Sequence, residues 1–347
     1  MELTFNKIDL DLLDDLSISY ESVNTLNNII VQLTAMGQTG LGEISPHAAY
    51  GETQDTAIAV LQYLKETLTT ITNPFQFIDI LDTLDEKLEG HYATKAAIDM
   101  ALYDLVGKLL GVPLYQLLGL SPNKTTHLTY TIGIDTVDRM VEKAIAANQY
   151  KYLKVKLGSP YDKDIITEIA SATSAILRVD VNGGWDARYA IRFINEVLVH
   201  HSVEFVEQPL ASGDIRGMKL LHTESALPVV LDESISGLNS ILFHADFVDG
   251  VNIKLMKCGG IRNALKMIHT ARALGLKVML GCRVETSLAI TAAVHLTPLV
   301  DFADLDLHLL VANDPFIGAT LDDDGKFVLP TAPGLGVQFR PSQGVSS

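Results

Sequence analysis

From about residue 126 onward, short apolar runs alternate with longer stretches in which apolar residues recur at helical spacing. The runs are typical of buried strands, and the longer stretches, such as 187–201 and 262–275, are typical of amphipathic helices. We expect the stretch 235–247 to be a loop. Alternation of this kind predicts parallel strands covered by helices, and eight strands in a row favour a closed (β/α) barrel of the TIM type. The eight predicted strands are 127–134, 151–158, 176–184, 203–210, 227–234, 250–257, 277–285 and 300–306.

The first part of the chain has a different texture. Short apolar stretches at 16–20, 28–36 and 40–45 predict an antiparallel meander, with a turn from Gly37 to Gly40. Helical spacing then predicts three helices, in which Pro74 suits a first turn and Gly111 suits a C-terminal cap. These helices are expected at 56–68, 74–88 and 93–111. The sequence therefore predicts an α+β domain over 1–120 and a barrel over 121–314, with the tail from about 315 to 347 packing back on the first domain.

Composition and charge narrow the function classes. The 347 residues are 48% apolar with a mean hydropathy of +0.23, which is typical of a folded chain with a sizeable core. A net charge of −16 disfavours nucleic acid and anionic membranes as partners. The chain has no signal-peptide pattern and no apolar run near the ~20 residues that span a bilayer, so we expect a cytoplasmic protein. Cys258 and Cys282 lack zinc-ligand spacing and fit a reducing compartment. A homo-oligomer is left open.

Five of the strand-like segments end in a chemically capable polar side chain. These residues are Lys156, Asp180, Glu207, Asp232 and Lys254. The intervals are 24 (156 to 180), 27 (180 to 207), 25 (207 to 232) and 22 (232 to 254), about the length of one strand, one helix and two loops. Because the C-terminal ends of all strands in such a barrel meet at one face, the spacing predicts one site at the barrel mouth.

The three acids, Asp180, Glu207 and Asp232, predict a metal site. Carboxylates without histidine or thiolate partners offer only oxygen donors, which suit Mg²⁺ rather than zinc. The alternative is that each acid caps the helix that follows its strand. Three such acids on consecutive strands favour the metal site, because adjacent carboxylates repel each other unless a cation neutralises them.

The lysines predict a pair of bases. Lys154 and Lys156 lie on the same face of one strand, and neighbouring ammonium groups depress each other's pKa, so a free amine is expected near neutral pH. Lys254 should face them across the metal site. One lysine would remove an α-proton, Mg²⁺ would stabilise the enediolate, and the other lysine would return a proton to the opposite face. A Schiff-base lyase that uses either lysine is an alternative from a different class.

Several motifs carry a resemblance to a known family. They are KVK at 154–156, DVNGGW at 180–185, EQP at 207–209, DES at 232–234 and NIKLMKCGGI at 252–261. With them the chain resembles, almost end to end, the muconate-lactonising subgroup of the enolase superfamily, and within it the dipeptide epimerases. The resemblance implies a modified barrel with a capping domain, Mg²⁺ as cofactor and a small-molecule dipeptide as substrate, L-Ala-D/L-Glu or a relative. N-acylamino acid racemisation, o-succinylbenzoate formation and muconate cycloisomerisation are the alternatives within the subgroup.

The resemblance also suggests substrate-binding residues. Asp304 and Asp306 are similar to an Asp-x-Asp element that holds the free ammonium group of a dipeptide, and two acids on alternate strand positions share one face. The specificity loop, about 13–25, has Glu21 where a relative acting on Ala-Glu has an arginine. Arg283 stands where an uncharged residue is expected. It either binds a substrate carboxylate or pairs with Glu21 or Glu285, and both readings stay open.

Overall fold

The computed structural model describes residues 1–17 and 22–341, with only the backbone described at 14–17 and 22–24. An antiparallel three-stranded sheet and a group of helices form the first part of the molecule. The strands are β1 (Glu2–Ser17), β2 (Ser22–Ala35) and β3 (Gln38–Ile44). The helices are α1 (Gln54–Thr70), α2 (Phe77–Lys87), α3 (Tyr92–Leu110) and α4 (Leu114–Leu117). The predicted meander and its three following helices are therefore present.

Two details of the meander were predicted wrongly. The first strand was expected at 16–20, of which 18–20 lie outside the described residues, but it begins much earlier and occupies Glu2–Ser17. In this strand, buried residues such as Leu3 and Leu10 are separated by mostly exposed polar ones. A strand that is largely exposed on one face shows only weak alternation of apolar and polar residues, so it is difficult to predict from the sequence. The turn is earlier and shorter than expected. Met36 and Gly37, which both have positive φ (51° and 79°), connect β2 to β3 as a two-residue hairpin loop, and Gln38 to Gly40 already belong to β3.

Helix α3 packs directly on β3 because two glycines leave room for its backbone. A Cβ at Gly40 would lie 2.0 Å from the carbonyl oxygen of Ala101, and one at Gly42 would lie 1.9 Å from that of Ala97. Any side chain at either position would push the helix away from the sheet. This close approach fixes the position of α3, whose other side faces the barrel.

The eight predicted parallel strands form one sheet in sequence order, and the barrel prediction is confirmed. A bridge between Leu128 and Ala303 brings the first and last strands together. The strands are β4 (Thr129–Ile132), β5 (Tyr152–Lys156), β6 (Ile176–Asp180), β7 (Val203–Glu207), β8 (Val229–Leu231), β9 (Gly250–Lys254), β10 (Lys277–Gly281) and β11 (Phe302–Asp304). The helices are α5 (Val137–Ala146), α6 (Asp162–Ala172), α7 (Ala187–Glu196), α8 (Ile215–Glu224), α9 (Leu238–His244), α10 (Leu255–Cys258), α11 (Ile261–Ala273) and α12 (Ser287–Val294).

The barrel strands are shorter than the apolar runs that predicted them, since the runs continue into buried loops. Two helices of the barrel were not predicted. Residues 250–257 were predicted as one strand, but β9 ends at Lys254 and the helical turn α10 follows. The stretch 235–247 was expected to be a loop, and it contains the seven-residue helix α9.

The barrel interior beneath the strand ends is filled by Phe205, Val230, Met279 and Phe302. Arg178, two residues before the end of β6, lies among them and is only 3% exposed. Its guanidinium carbon is 4.7 Å from the centre of the Phe302 ring and 5.5 Å from that of Phe205. The interior is thus a packed layer and not a channel.

The tail after the barrel contacts both parts of the molecule. It contains β12 (Phe316–Ile317), β13 (Thr320–Leu321), β14 (Phe327–Val328) and β15 (Gln338–Phe339). The backbone N–H of Leu335 donates to Asp104 of α3 (2.7 Å), while that of Ala319 donates to Thr291 of α12 (2.9 Å). In the described part of the chain, no helix combines the length and apolar character that crossing a membrane requires.

Candidate active site

Strand register brings the strand-end residues into two rows at the barrel mouth. Lys156 on β5 aligns with Asp180 on β6, which aligns with Glu207 on β7. On the other side, Lys254 on β9 aligns with Gly281, and Gly281 aligns with Asp304 on β11. Strands β5 and β9 are four positions apart in an eight-stranded barrel, so their terminal lysines stand on opposite sides of the mouth.

A cavity of about 630 Å³ lies between this mouth and the first domain. Its barrel side includes Lys154, Lys156, Lys254 and Asp232, and its other side consists of residues from 25–27 and 46–54. Asp180 and Glu207 are fully buried directly beneath the lysines. The cavity is therefore bordered by the first domain on one side and carries its lysines, its aspartates and Arg283 on the barrel side, as expected for a ligand site at the C-terminal face of a barrel.

The three strand-end acids are not the caps of the following helices. Helix α7 is capped by Asp186, which accepts from the N–H of Tyr189 (2.9 Å). Helix α8 is capped by Asp214, which accepts from the N–H of Gly217 (2.8 Å), and α9 follows Gly237. Helix capping, the structural alternative, therefore does not explain why carboxylates stand at the ends of β6, β7 and β8.

Ammonium groups lie against all three of these carboxylates. The Nζ of Lys154 is 2.9 Å from Asp180, 2.8 Å from Glu207 and 2.5 Å from Asp304. The Nζ of Lys156 is 2.6 Å from the same Oδ2 of Asp180. Both side chains of the KVK segment thus reach one carboxylate, as strand periodicity predicts.

Lys254 and one further lysine hold the third acid. The Nζ of Lys254 is 2.8 Å from Oδ2 of Asp232. Lys257 on α10 donates to Oδ1 (2.5 Å) and to the backbone carbonyl of Asp232 (2.6 Å). Asp232 is therefore held by two lysines, one at the end of β9 and one in the helical turn that follows it.

The lysine pKa values differ from the sequence-based expectation. Burial would lower the pKa of Lys154, but Asp180, Asp304 and Glu207 raise it well above its usual value. Burial also opposes the charge on Lys254, and Asp232 reverses the effect and raises its pKa. The prediction that a neighbouring ammonium group depresses the lysine pKa is wrong for Lys154, because the nearby carboxylates outweigh the second ammonium group.

The pKa values of the three carboxylates respond differently to the neighbouring lysines. Burial would raise the pKa of Asp180, but Lys154 and Lys156 lower it to about 2. In Asp232, Lys254 and Lys257 outweigh burial in the same way and hold the pKa well below its usual value. Burial and the charge of Asp180 together raise the pKa of Glu207 to about 8. The cluster thus contains more negative charge than its lysines neutralise.

Several polar side chains at the mouth were not assigned from the sequence, although most lie in the motifs quoted above. Asn252 donates to Glu207 (2.8 Å). Asn182 donates to Glu233 (2.9 Å) and accepts from Lys156 (3.0 Å). Lys257 was missed because its segment was predicted as a strand, in which a residue three positions after Lys254 would point away from the site.

Asp304 and Asp306 lie close together but are not equivalent. Strand β11 ends at Asp304, so the expectation of two acids on alternate positions of one strand is wrong. Asp304 lines the cavity, whereas Asp306 is buried and accepts from the N–H (2.6 Å) and hydroxyl (3.2 Å) of Thr131. Burial and the charge of Asp304 raise the pKa of Asp306 to about 7.

Arg283 also lines the cavity, in the loop after β10. Its guanidinium carbon lies 5.8 Å from the ring centre of Tyr50, which comes from the first domain. Glu285 accepts a hydrogen bond from the backbone N–H of Arg283 (2.8 Å). Glu21 and most of the loop 13–25 fall outside the residues whose side chains are described, although Thr25 does line the cavity.

Family models match both parts of the chain. Residues 8–119 match the mandelate racemase/muconate lactonizing enzyme N-terminal domain, and residues 136–343 match the enolase C-terminal domain-like model. The chain belongs to the mandelate racemase/muconate lactonizing enzyme family. The predicted membership of the enolase superfamily is thereby confirmed.

Relatives within the family are named epimerases. The chain is 42% identical to an L-Ala-D/L-Glu epimerase of Bacteroides thetaiotaomicron, over 97% of this chain and 88% of that protein. It is similar to the substrate-liganded L-Ala-D/L-Glu epimerase of Bacillus subtilis, with a TM-score of 0.92, 30% identity and coverage of 97% and 98%. It is also similar to the Enterococcus faecalis dipeptide epimerase complexed with Mg and L-Leu-L-Tyr, with a TM-score of 0.91, 30% identity and coverage of 97% and 99%.

Proposed function

We propose that the protein is a Mg²⁺-dependent dipeptide epimerase, which moves a proton at the α-carbon of the C-terminal residue of its substrate. The observation that carries the proposal is the meeting of two opposed lysines, Lys156 and Lys254, with three strand-end carboxylates at the floor of one cavity. A base on each side of one carbon is what proton transfer with inversion requires. The epimerases named among its relatives support the same reaction class.

Asp180, Glu207 and Asp232 are the residues that would hold the metal ion. They offer only oxygen donors, as Mg²⁺ prefers, and the buried Oε2 of Glu207 accepts no hydrogen bond although Lys154 is 2.8 Å away. Among the described residues, no three acidic, histidine or cysteine side chains are arranged around one possible metal position. The ammonium group of Lys154 lies between Asp180 and Glu207. When bound, Mg²⁺ would share the charge of the carboxylates and offset the negative charge that develops on the substrate.

We assign the proton transfers to Lys156 and Lys254 and assign charge balance to Lys154. Among the residues whose side chains are described, Lys156 forms an ion pair with one carboxylate, Asp180, and Lys254 with one, Asp232. Lys154 contacts three and is 2% exposed, so its proton is held too firmly for exchange with a substrate. To act as the base, Lys254 must first lose its own proton, and this requires a weaker attraction from Asp232 than the one that raises the pKa of Lys254 here. To act as the acid in the reverse direction, Lys254 keeps that proton.

For the substrate, we propose that its free ammonium group binds at Asp304 and Asp306 and that Arg283 binds an acidic second side chain. Asp304 lines the cavity and shares the hydroxyl of Thr131 with Asp306, so the two acids form one negative patch. The guanidinium group of Arg283 lines the same cavity, and a carboxylate is the substrate group with which it forms its strongest hydrogen bonds. The relative at 42% identity is named for Ala-Glu, in agreement with this assignment.

We place the domain boundary near residue 120 and assign the tail from about 315 to the first domain. The hydrogen bonds of Gly334 and Leu335 to Leu114 and Asp104 support this assignment. The capping domain then supplies the cavity wall at 25–27 and 46–54, and the barrel supplies the chemistry.

A dipeptide library in D₂O with Mg²⁺ tests the function. We expect a mass gain of one unit at the α-carbon of the C-terminal residue, together with conversion between epimers, and no gain in EDTA. Lys254→Ala is the matched control, since it should stop conversion without removing a proposed metal ligand. Full activity in EDTA with borohydride trapping of a lysine would instead indicate the Schiff-base lyase.

A second test separates dipeptides from N-acylated substrates. Asp306→Asn should weaken turnover of dipeptides, because an amide carries no charge to balance the substrate ammonium group. N-acylamino acids lack that group. Equal turnover of Ala-Glu by the wild-type protein and Asp306→Asn would contradict the dipeptide assignment.

A further inference from the structure

Asp99 lies on α3 of the first domain but caps a helix of the barrel. One carboxylate oxygen accepts from the backbone N–H of Ile261 (2.6 Å) and the other from that of Arg262 (3.2 Å). These are the first two residues of α11, whose own N-terminal cap position is Gly260 and supplies no side chain. The carboxylate thus satisfies two free N–H groups at a helix start, across the boundary between the domains.

The approach of the two domains at this point is very close. A Cβ at Gly260 would lie 2.5 Å from the Cβ and Cγ of Asp99, and Gly260 has a φ of 109°. Arg262 adds a second connection, because its guanidinium group bonds to Asp82 and Asp85 on α2. The start of α11 is therefore held by both its backbone and its side chain.

Only one tight turn separates this junction from the proposed base. Lys254 ends β9, α10 follows as a single buried helical turn, and Gly259 and Gly260 both donate to the carbonyl of Leu255. Helix α10 packs against α3. Because the segment between Lys254 and α11 is a single hydrogen-bonded turn, the position of the start of α11 determines the positions of Lys254 and Lys257. Both lysines bind Asp232, so they in turn determine its orientation.

We propose that Asp99 is a positioning residue for Lys254: the first domain fixes the sixth-strand base through the start of α11. The inference rests on the proposed function in that it takes Lys254 as one of the two bases. Lys156 is anchored differently, by Asp180 and Asn182 within the barrel. Loosening the junction at Asp99 should therefore impair one base and spare the other.

The test measures α-proton exchange of L-Ala-L-Glu and L-Ala-D-Glu separately in D₂O with Mg²⁺, by proton NMR. Lys254→Ala first identifies the epimer that Lys254 serves. In Asp99→Asn, exchange of that epimer should fall about tenfold or more, since small displacements of a reacting group have large effects on rate, while exchange of the other stays within about twofold. An equal fall for both epimers, or no change, would overturn the inference.

Asp104→Asn is the matched control. Asp104 lies on the same helix, is equally buried and also accepts two backbone N–H groups, those of Leu41 and Leu335. Its carboxylate also pairs with Lys108, and none of its hydrogen bonds within the described residues reaches α11. It should leave the ratio of the two exchange rates at the wild-type value. If Asp99→Asn does not fold, Arg262→Gln loosens the same junction from its more exposed side and should shift the ratio in the same direction by less.

A measurement without substrate tests the positioning role of Asp99 independently of the proposed function. Amide hydrogen–deuterium exchange should become faster at 255–262 in Asp99→Asn than in the wild-type protein or Asp104→Asn. If the wild-type protein exchanges neither epimer, the proposed function fails, and this measurement still decides whether Asp99 orders the lysine turn. Unchanged amide exchange at 255–262 would refute the positioning role even in an active enzyme.

Discussion

Two buried charged regions lie in the barrel, one around Arg178 and one at the mouth, and they differ in how their charge is balanced. In the lower one, Arg178 donates to Glu204 (2.8 Å) and to the hydroxyl of Thr129, and its guanidinium carbon lies 4.1 Å from the ring centre of Tyr152. At the mouth, four lysines meet a larger group of acids beside a cavity. The single guanidinium group among aromatic rings and polar partners stabilises the packed interior. The excess of carboxylates beside a cavity instead indicates a binding site.

The largest expected effect is the loss of turnover when a proposed metal ligand at the mouth becomes neutral. Asp180→Asn, Glu207→Gln and Asp232→Asn should each lower kcat/KM on the order of 10³-fold or more, because the charge stabilisation that a bound metal supplies is worth several kcal/mol. Circular dichroism should show an intact fold, and isothermal calorimetry should show weaker Mg²⁺ binding. Near-normal rates in any of the three would mean that the residue is not a ligand.

Next in size is the stereochemical split between the two bases. Lys156→Ala and Lys254→Ala should both stop epimerisation, with a fall of at least about 10²-fold, because general base catalysis is removed from one face. Each variant should still exchange the α-proton of one epimer with deuterium, and the two epimers should differ. Exchange of the same epimer by both variants would contradict opposed bases.

The lower region should respond in stability and not in chemistry. Arg178→Met leaves Glu204 without its partner, and we expect the free energy of unfolding to fall by about 2–3 kcal/mol, less than for a fully buried pair because Glu204 is partly exposed. Urea denaturation measures this change. Exchange of the α-proton should stay within about threefold of wild type. A catalytic loss as large as that of Asp232→Asn would erase the distinction between the two regions.

The smallest expected effect concerns the second side chain of the dipeptide. Arg283→Met should lower kcat/KM for Ala-Glu about tenfold relative to Ala-Leu, because a charge-assisted contact to a carboxylate is roughly twice as strong as a neutral hydrogen bond. The comparison includes Ala-Lys as the opposite charge. A wild-type preference for Ala-Lys over Ala-Glu would instead indicate that the guanidinium group of Arg283 forms an ion pair with Glu21 or Glu285.

Local sequence patterns predicted the parts of this architecture that depend on neighbouring residues. Apolar runs located all eight barrel strands, and their terminal side chains met because the carboxyl ends of parallel strands share one face. Tyr50 could not be predicted at the site, since its place beside Arg283 depends on how the first domain packs over the barrel. The raised pKa of Lys254 depends likewise on Asp232, which is remote in sequence.

A single helical turn was the most consequential local error. The apolar pattern of 250–257 does not distinguish a strand from a strand followed by α10, because both would be buried. The pair Gly259 and Gly260 was the available signal, since both have positive φ and end the turn. If these glycines are interpreted as the end of a helical turn, the sequence predicts that Lys257 lies on the same side as Asp232.

The divided wall of the cavity has a practical consequence for protein engineering. The segments 25–27 and 46–54 border the space where a substrate side chain would lie, yet they belong to another part of the chain than the lysines and acids of the barrel. A randomised library confined to 25–27 and 46–50 would sample new dipeptide preferences while the sequence of the barrel stays constant. Glu52 is left out of the library because its carboxylate accepts the backbone N–H groups of Ala93 and Thr94 at the start of α3, the helix that carries Asp99. Any variant that the library yields could be combined with barrel substitutions chosen separately.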